Sequence, residues 1–216
     1  MSYLLQMPEA LRTPPQDELL VRARRRQIFL AACRVLARKS FHEATVKEIA
    51  LEAGIAAGSI YLYLQSKDDI LALLAESMVA ELTEALPEIR ERAGDDPRRE
   101  LLEVMRAILD VIDRYREAFT VLHHEVRYLA RRASYRATID KVREEYTGVV
   151  AGVLERGRRL GAIHFNDLKS VVEAVHMLCA GWAMGAGLLR DTSKETYWRE
   201  IAAIVQGRFF EPGLSI

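Results

Sequence analysis

The sequence predicts an all-α protein of about nine helices, with a small basic N-terminal module and a larger helical body. Apolar residues recur at spacings of three and four along most of the chain, which is the periodicity of amphipathic helices. No stretch combines alternating apolar residues with the turn signals of a β-hairpin. Glycine and proline clusters separate the periodic stretches, so each cluster marks the end of a predicted helix.

Composition and charge distribution suit a globular protein with one strongly basic region. The chain has 216 residues, of which 50% are hydrophobic and 29% charged, so it can bury a substantial core. Its formal net charge is zero, yet nine Lys or Arg residues and only three Glu fall between residues 22 and 67. A basic module attached to a mildly acidic body is typical of a nucleic-acid-binding protein with a second domain.

The stretch TVKEIALEAGIAAGSIYLYLQSK, which begins at Thr45, predicts a helix-turn-helix. Its first helix has Ile49 on the apolar face, and its second has Ile60 and Leu64 four residues apart. Gly54 lies in the turn between them, where a left-handed conformation would strain other residues. The second helix of such a motif can lie in the major groove of DNA, although an ordinary helical hairpin has the same pattern.

The outward face of the second helix is suited to DNA. It is small at its N-terminal end, which lets the backbone approach the duplex closely. Tyr61 and Tyr63 carry hydroxyl groups on rigid side chains, which suits contacts with phosphates. Lys67 lies at the start of the next helix, where its charge and the free N–H groups favour an anion.

These residues resemble the DNA-binding domain of the TetR family of bacterial repressors, from about Arg24 to Leu74. The segment AGIAAGSIYLYLQSKDDIL carries the resemblance, with Ala-Gly-apolar, Gly-Ser-apolar-Tyr-x-Tyr and Ser-Lys-acid-acid-apolar-Leu in order. Ala56 stands where a capping Ser is common, at a cost of about 1 kcal/mol, and Leu62 stands where a polar base-reading residue is common. The core IYLYL is similar to that of acyl-CoA-responsive members of the family.

The resemblance implies further DNA contacts around the motif. It places the N-terminal end of the first helix near the DNA backbone, so the arginines there are candidate phosphate contacts, with a solvated charge run as the alternative. It also implies that Lys47 can reach a base edge, where a lysine can donate to guanine, with a phosphate contact or no DNA contact as the alternative. The predicted DNA-binding residues are Arg24, Arg25, Thr45, Lys47, Ala57, Gly58, Ser59, Tyr61, Leu62, Tyr63 and Lys67.

Breaks in the periodic pattern define the remaining helices. Pro87 and the run from Gly94 to Pro97 are predicted to interrupt the chain, and Pro97 suits the first position of a new helix. Asn166 or Asp167 is predicted to cap a later helix. The predicted helices outside the hairpin span about 17–39, 67–84, 97–115, 117–132, 134–159, 167–190 and 194–210. We assign residues 1–16 to a tail, 17–66 to the DNA-binding domain, and 67–216 to a ligand-binding and dimerisation domain.

The resemblance also implies a ligand cavity among the middle helices of the body. Apolar and aromatic residues there suit an apolar or aromatic compound, although the same residues also fit an ordinary packed core. His123 and His124 are adjacent on a helix, so their side chains point about 100° apart and do not favour a shared metal ion. The predicted pocket residues are Met78, Leu82, Met105, Leu109, Ile112, Phe119, Leu122, His123, Tyr146, Val150, His176 and Met177.

Small residues in the last part of the body suggest close approach of helices. Glycines there cost about 1 kcal/mol each in helix stability, and the resemblance implies that the last two helices pair with those of a second chain. Such a homodimer would read a palindrome, whereas packing within the chain is the alternative. The predicted dimer-interface residues are Gly181, Gly185, Leu188, Ile201, Ile204 and Val205.

These observations favour a ligand-controlled transcriptional regulator. The expected protein is a repressor that a small apolar, acyl or aromatic effector releases from a palindromic double-stranded DNA operator. The alternative is an architectural DNA binder with weak sequence preference and no effector, which Leu62 in the reading position favours. The chain has no Gly-rich phosphate loop, HExxH or GxSxG motif, so we do not expect an enzyme.

The remaining features concern location and cofactors. Cys33 and Cys179 lie in apolar helical patterns and fit buried free thiols in a reducing cytoplasm. The N-terminus does not resemble a signal peptide, and no segment suits a membrane span. We predict neither a metal nor a cofactor.

Overall fold

The computed structural model describes residues 18–185 and 191–210, which form an all-α fold as predicted. A 3-10 helix, Ser59–Leu62, follows the second α-helix, and a π-helical turn, Gln206–Phe210, follows the last. The α-helices of the described ranges are α1 (Glu18–Leu36), α2 (Val46–Glu52), α3 (Asp69–Ala93), α4 (Pro97–Arg114), α5 (Arg116–Leu129), α6 (Ala133–Arg159), α7 (Leu168–Met184) and α8 (Lys194–Val205). We call residues 18–66 the head and the rest of the described chain the body.

The longest departure from the predicted helices occurs in α3. The prediction of a break at Pro87 is wrong, because α3 continues through this residue to Ala93. Leu82 and Ile89, on either side of the proline, are both buried in the body core, and their packing offsets the missing backbone hydrogen bond. The helix ends instead at Gly94, whose φ of 60° suits only glycine without strain.

The second helix of the predicted hairpin is also shorter than expected. It is a single 3-10 helix of four residues, and Tyr63 and Leu64 donate their backbone N–H groups to the Ile60 carbonyl. Gly58 occupies its N-cap and has no side chain with which to cap it. Burial of Ile60 and Leu64 holds it against the head.

Two apolar cores are joined by α3. The head core contains Ile28, Phe29 and Ile49, none of which has exposed surface, and the first turns of α3 complete it. The body core lies among α4, α6, α7 and α8, together with the second half of α3. Phe119 on α5 packs against both cores, so α3 and α5 connect the head to the body.

The C-terminal elements begin with a well-formed cap. Asp167 is the N-cap of α7, and its Oδ2 accepts a hydrogen bond from the Ser170 N–H at 2.7 Å, which confirms the predicted cap.

The tail predicted for residues 1–16 and the dimer contact predicted for Leu188 lie outside the described residues. Within the described ranges, none of the helices combines the length and the apolar run that a membrane span requires.

Candidate DNA-binding surface and ligand cavity

A capping box fixes the start of the helix-turn-helix. The Thr45 hydroxyl accepts a hydrogen bond from the Glu48 N–H at 3.1 Å, and Glu48 Oε2 accepts one from the Thr45 N–H at 2.9 Å. At the other end of α2, Gly54 has a φ of 66°, and Ile55 donates its N–H to the Ala50 carbonyl at 3.0 Å. The predicted left-handed turn at Gly54 is therefore confirmed. Thr45 serves as a helix cap, and its DNA contact stays a prediction.

The 3-10 helix presents a protruding surface. Ala57, Gly58 and Ser59 are exposed, and Tyr61 and Leu62 have exposed fractions of 57% and 50%. Tyr63, by contrast, is half-buried and packs against the head core. The surface thus offers small residues, one phenol and one exposed leucine to a partner.

The predicted basic contacts fall into two groups. Lys47 is exposed and makes no ion pair with any residue that the structure describes. Arg25 pairs with Glu76 of α3 at 2.5 Å, and Arg24 donates to Gln27 at 2.8 Å. Both arginine side chains have partners within the protein. Of these three basic residues, Lys47 is therefore the one whose charge is most available to DNA.

Lys67 also has partners inside the protein. Its Nζ donates to the His42 carbonyl at 2.8 Å and lies 4.9 Å from the centre of the Phe41 ring. These contacts tie the start of the body to the loop before α2. A phosphate contact by Lys67 stays a prediction.

A polar cluster joins the head to α6, and we call its residues Ser66, Asp69 and Tyr135 the clamp. Asp69 is buried, and its Oδ2 accepts from the backbone N–H groups of Gln65 and Ser66 at 2.5 and 2.9 Å. The Tyr135 hydroxyl donates to Asp69 Oδ1 at 2.7 Å and lies 2.7 Å from the Ser66 hydroxyl. Because the single tyrosine proton is committed to Asp69, the Ser66 hydroxyl is the donor in the last bond.

Burial, together with the nearby Asp69 carboxylate, raises the pKa of Tyr135 to about 12, so its phenol keeps its proton. Beside the clamp, Arg132 forms an ion pair with Asp68. The start of α6 is thus attached by several polar contacts to the residues that follow the 3-10 helix.

The body contains a partly open cavity of about 340 Å³. Helices α3 to α7 all contribute to its wall, which is mostly apolar. The structure places these predicted pocket residues on the wall: Met78, Leu82, Ile112, Phe119, Leu122, His123, Tyr146 and His176. Sequence reasoning missed Ile139, Val142 and Arg143, although their spacing from Tyr146 places all four on one face of α6.

Four predicted pocket residues do not line this cavity. Met105, Leu109 and Val150 are fully buried in the body core, because their sides of α4 and α6 face neighbouring helices. Met177 has an exposed fraction of 42%, since it follows His176 on α7 and points about 100° away. The pocket assignment of these four residues is therefore wrong for this cavity.

One end of the cavity is polar, and its charged neighbour is Glu173. His176 Nδ1 lies 2.9 Å from the Tyr146 hydroxyl, and the His123 ring stacks on that of His176 with centres 6.1 Å apart. Burial lowers the pKa of both histidines and raises that of Tyr146. Both imidazoles and the phenol are consequently neutral near pH 7.

The predicted dimer interface is partly incorrect. Ile201 and Val205 are buried in the body core of their own chain, because this side of α8 packs against α7 and α4. The close approach expected at Gly181 occurs within the chain, since a Cβ there would lie 2.5 Å from the Tyr197 hydroxyl of α8. Gly185 ends α7, and Ile204 has an exposed fraction of 55%. Among the described members of this group, Ile204 is the one with an exposed side chain that a second chain could contact.

The two cysteines are free thiols within the helical cores. Cys179 is buried, and Cys33 is partly buried, in agreement with the sequence prediction. Burial raises the pKa of each thiol to about 12, so neither is a reactive thiolate near neutral pH. Among the described residues, no group of three or more His, Cys, Asp or Glu is arranged to hold a metal ion.

A helix-turn-helix head joined by a long helix to a body with an apolar cavity is the architecture of a DNA-binding transcriptional regulator. Residues 28–74 match the family model described as bacterial regulatory proteins, tetR family, and residues 94–184 match the one described as tetracyclin repressor-like, C-terminal domain. The chain belongs to the TetR family, as the sequence resemblance predicted.

Two sequence relatives and one solved structure are similar to this chain. It is 30% identical over 138 residues to the fatty acid metabolism regulator protein of Bacillus subtilis, which covers 63% of this chain and 69% of the relative. It is 28% identical over 151 residues to the transcriptional repressor KstR2 of Rhodococcus jostii. This alignment covers 69% of this chain and 72% of that relative. The crystal structure of FadR from Bacillus subtilis with stearoyl-CoA superposes with a TM-score of 0.68 at 23% identity, over 83% of this chain and 96% of that one.

Proposed function

We propose that this protein is a homodimeric repressor that binds its operator without ligand and releases it when a long acyl thioester occupies the body cavity. The observation that carries this proposal is the cavity of about 340 Å³, whose walls include α3 and α6, two of the helices that contact the head. Its volume falls within the range of about 300–1,000 Å³ that is common for small-molecule sites. A compound in this cavity therefore touches α3 and α6 together.

The apolar wall and the relatives support an acyl effector. Valine, leucine, isoleucine and phenylalanine side chains make up most of the wall, which suits a hydrocarbon chain. The Bacillus subtilis relative is named a fatty acid metabolism regulator, and the structure similar in fold contains stearoyl-CoA. A coenzyme A thioester of a long fatty acid is accordingly the first effector to test.

The clamp supplies a physical connection between the cavity and the head. Tyr135, Ile139, Val142 and Tyr146 recur along one face of α6, so the same face carries the clamp at one end and the cavity wall in the middle. A ligand that shifts α6 would move Tyr135 relative to Asp69, next to the 3-10 helix. The ligand can change DNA affinity only by as much as it prefers the shifted conformation.

Dimer formation would use the exposed apolar residues of α7 and α8. Met177, Met184 and Ile204 have exposed fractions of 42%, 41% and 55%, and they replace the buried Ile201 and Val205 in the proposed interface. TetR-family regulators act as dimers. Two heads related by two-fold symmetry would read half-sites about one helical turn of DNA apart, or a multiple of it.

Fluorescence anisotropy with DNA from upstream of the protein's own gene tests the first part of the proposal, which is operator binding. The wild-type protein should bind this duplex more tightly than a scrambled one, and Tyr61→Ala and Lys47→Ala should weaken binding by about tenfold. Lys47→Ala should also reduce the salt dependence of the affinity. Leu160→Ala, an exposed substitution at the end of α6 in the body, is the matched control. Equal affinity for both duplexes at matched salt would favour the architectural alternative.

The same assay tests the second part of the proposal, which is release from the operator by an acyl thioester. Palmitoyl-CoA should release the wild-type protein from the duplex, whereas coenzyme A alone should not. Native mass spectrometry of the purified protein beforehand would detect any ligand already bound. If palmitoyl-CoA leaves operator affinity unchanged in a ligand-free sample, the acyl-thioester proposal is wrong and only the DNA-binding half remains.

A further inference from the structure

At the polar end of the cavity, the donor and the acceptor of the central hydrogen bond can be assigned. Its central contact joins His176 Nδ1 and the Tyr146 hydroxyl at 2.9 Å, and either group can in principle be the donor. If Nδ1 carried the proton, the Tyr146 hydroxyl hydrogen would need another acceptor. Among the described residues, the Tyr146 hydroxyl has no hydrogen-bond partner other than His176.

The tautomer of His176 follows from this arrangement. A buried hydroxyl hydrogen without an acceptor costs free energy, whereas donation from Tyr146 to Nδ1 satisfies both groups with one bond. The phenol keeps its proton because burial raises its pKa, so it is available as the donor. His176 is then protonated at Nε2 and neutral.

The Nε2–H group faces open space. No described residue bonds to this atom, and the described part of the chain contains no buried side-chain nitrogen or oxygen without a partner. His176 also lines the cavity, which makes this N–H a candidate donor to a ligand there. The His123 ring lies nearly parallel to the His176 imidazole, at an interplanar angle of 19° with ring centres 6.1 Å apart, so it does not occupy the edge that carries the N–H.

The charges around this donor distinguish between possible acceptors. Glu173 stands on the cavity wall and would repel a carboxylate, while the guanidinium of Arg143 lies 3.2 Å from Asp140. Both imidazoles are neutral, so this end of the cavity supplies a donor without a positive charge. A neutral carbonyl oxygen fits this setting better than a carboxylate.

We propose that His176, held as the Nε2–H tautomer by Tyr146, donates a hydrogen bond to the carbonyl oxygen of the effector. The cavity therefore selects acyl thioesters over free fatty acids and over alkyl analogues that lack the carbonyl. This inference rests on the proposed function, because it assigns the group that recognises the acyl end of the effector. Tyr146 is a positioning residue, which acts by fixing the proton on His176.

Calorimetric titration with three compounds of equal chain length tests the selectivity. The wild-type protein at pH 7.5 should bind palmitoyl-CoA about tenfold more tightly than S-hexadecyl-CoA, the thioether without the carbonyl, and palmitate more weakly than palmitoyl-CoA. His176→Phe should bring the thioester-to-thioether ratio close to one while binding of the thioether persists. His176→Gln, which keeps an N–H donor, should recover part of the preference.

Two further variants separate a positioning role from a general defect. Tyr146→Phe removes the group that fixes the tautomer, so it should lower the ratio to between those of the wild type and His176→Phe. His164→Gln replaces a histidine that does not line the cavity and should leave the ratio unchanged. A wild-type ratio near one would overturn the carbonyl contact.

Nitrogen-15 NMR of the imidazoles tests the tautomer without any ligand. The chain has five histidines, so His176→Gln identifies the His176 signals by their disappearance. The inference requires a protonated Nε2 and an unprotonated Nδ1, and the reverse pattern would overturn it. If none of the three compounds binds, the acyl effector and the carbonyl contact are both wrong, whereas equal binding of thioester and thioether refutes the carbonyl contact alone.

Discussion

The head and the body are both built from amphipathic helices, yet they use apolar side chains differently. In the head, Phe29, Ile49 and Ile60 have no exposed surface and form a core that holds the DNA-facing segment in place. In the body, Phe119, Val142 and Tyr146 are only partly buried, because one side of each borders the cavity. The head thus presents a fixed shape to DNA, while the body keeps space whose filling can alter the arrangement of its helices.

This difference separates affinity for DNA from sensitivity to ligand. A tightly packed core resists small displacements, since its side chains have few alternative arrangements. Helices around a cavity can adjust with less loss of contact. The clamp lies where these two regions meet, which is where a movement of the body would reach the head under the proposed function.

Replacing a small buried side chain by a larger one, in the head core and on the cavity wall, tests the difference between the two regions most strongly. Ala32→Leu in the head core should lower the free energy of unfolding by about 3 kcal/mol, because the alanine has no exposed surface and the core must expand. Ala75→Leu on the cavity wall should change it by less than about 1 kcal/mol, because the added carbons enter empty space. Urea unfolding followed by circular dichroism measures both. Equal losses would mean that the cavity is as tightly constrained as the head core.

Removing one hydroxyl at the clamp tests the connection between the two regions. Tyr135→Phe leaves Asp69 Oδ1 without its donor and should lower the free energy of unfolding by about 1.5 kcal/mol. It should also reduce the effect of palmitoyl-CoA on DNA affinity without abolishing ligand binding. Tyr128→Phe, an exposed tyrosine substitution in α5, is the control and should be neutral within about 0.5 kcal/mol. Unchanged ligand-induced release in Tyr135→Phe would show that coupling bypasses the clamp.

A smaller effect concerns the acid stability of the head. Hydrogen bonds from Lys39 and Thr45 lower the pKa of Glu48 from 4.5 to about 2. A carboxylate with a lowered pKa stabilises the folded state above pH 4.5, and this stabilisation is lost as the pH falls toward 2. The urea midpoint should therefore decline less steeply over this range in Glu48→Gln than in the wild type. Parallel pH profiles would show that the capping box contributes no acid sensitivity.

Local signals in the sequence predicted the head more completely than the body. The turn at Gly54 and the cap at Thr45 depend on residues within a few positions, so their patterns can be read directly. The continuation of α3 through Pro87 depends on burial against other helices, which overrides the local preference for a break. The clamp joins Asp69 to Tyr135 across 66 positions, and no local pattern indicates that contact.

The candidate ligand site shows the same limit. The spacing of apolar residues identified which helix faces are buried, but it did not distinguish a face that borders a cavity from one that packs against a neighbouring helix. Met105 and Leu109 were assigned to the cavity for this reason and lie in the solid core. Gly181 correctly predicted a close approach, although its partner is Tyr197 of the same chain.

The uninterrupted course of α3 has a geometric consequence. A helix of 25 residues is a rod about 37 Å long, and Leu82 on the cavity wall lies about 20 Å along it from Asp69. A sideways displacement of about 2 Å at Leu82 would tilt such a rod by about 6°. In a two-headed repressor, opposite tilts in the two copies would add. A movement no larger than a methyl group inside the body would then turn the two heads by about 12° relative to each other, which would alter how both fit their half-sites at once.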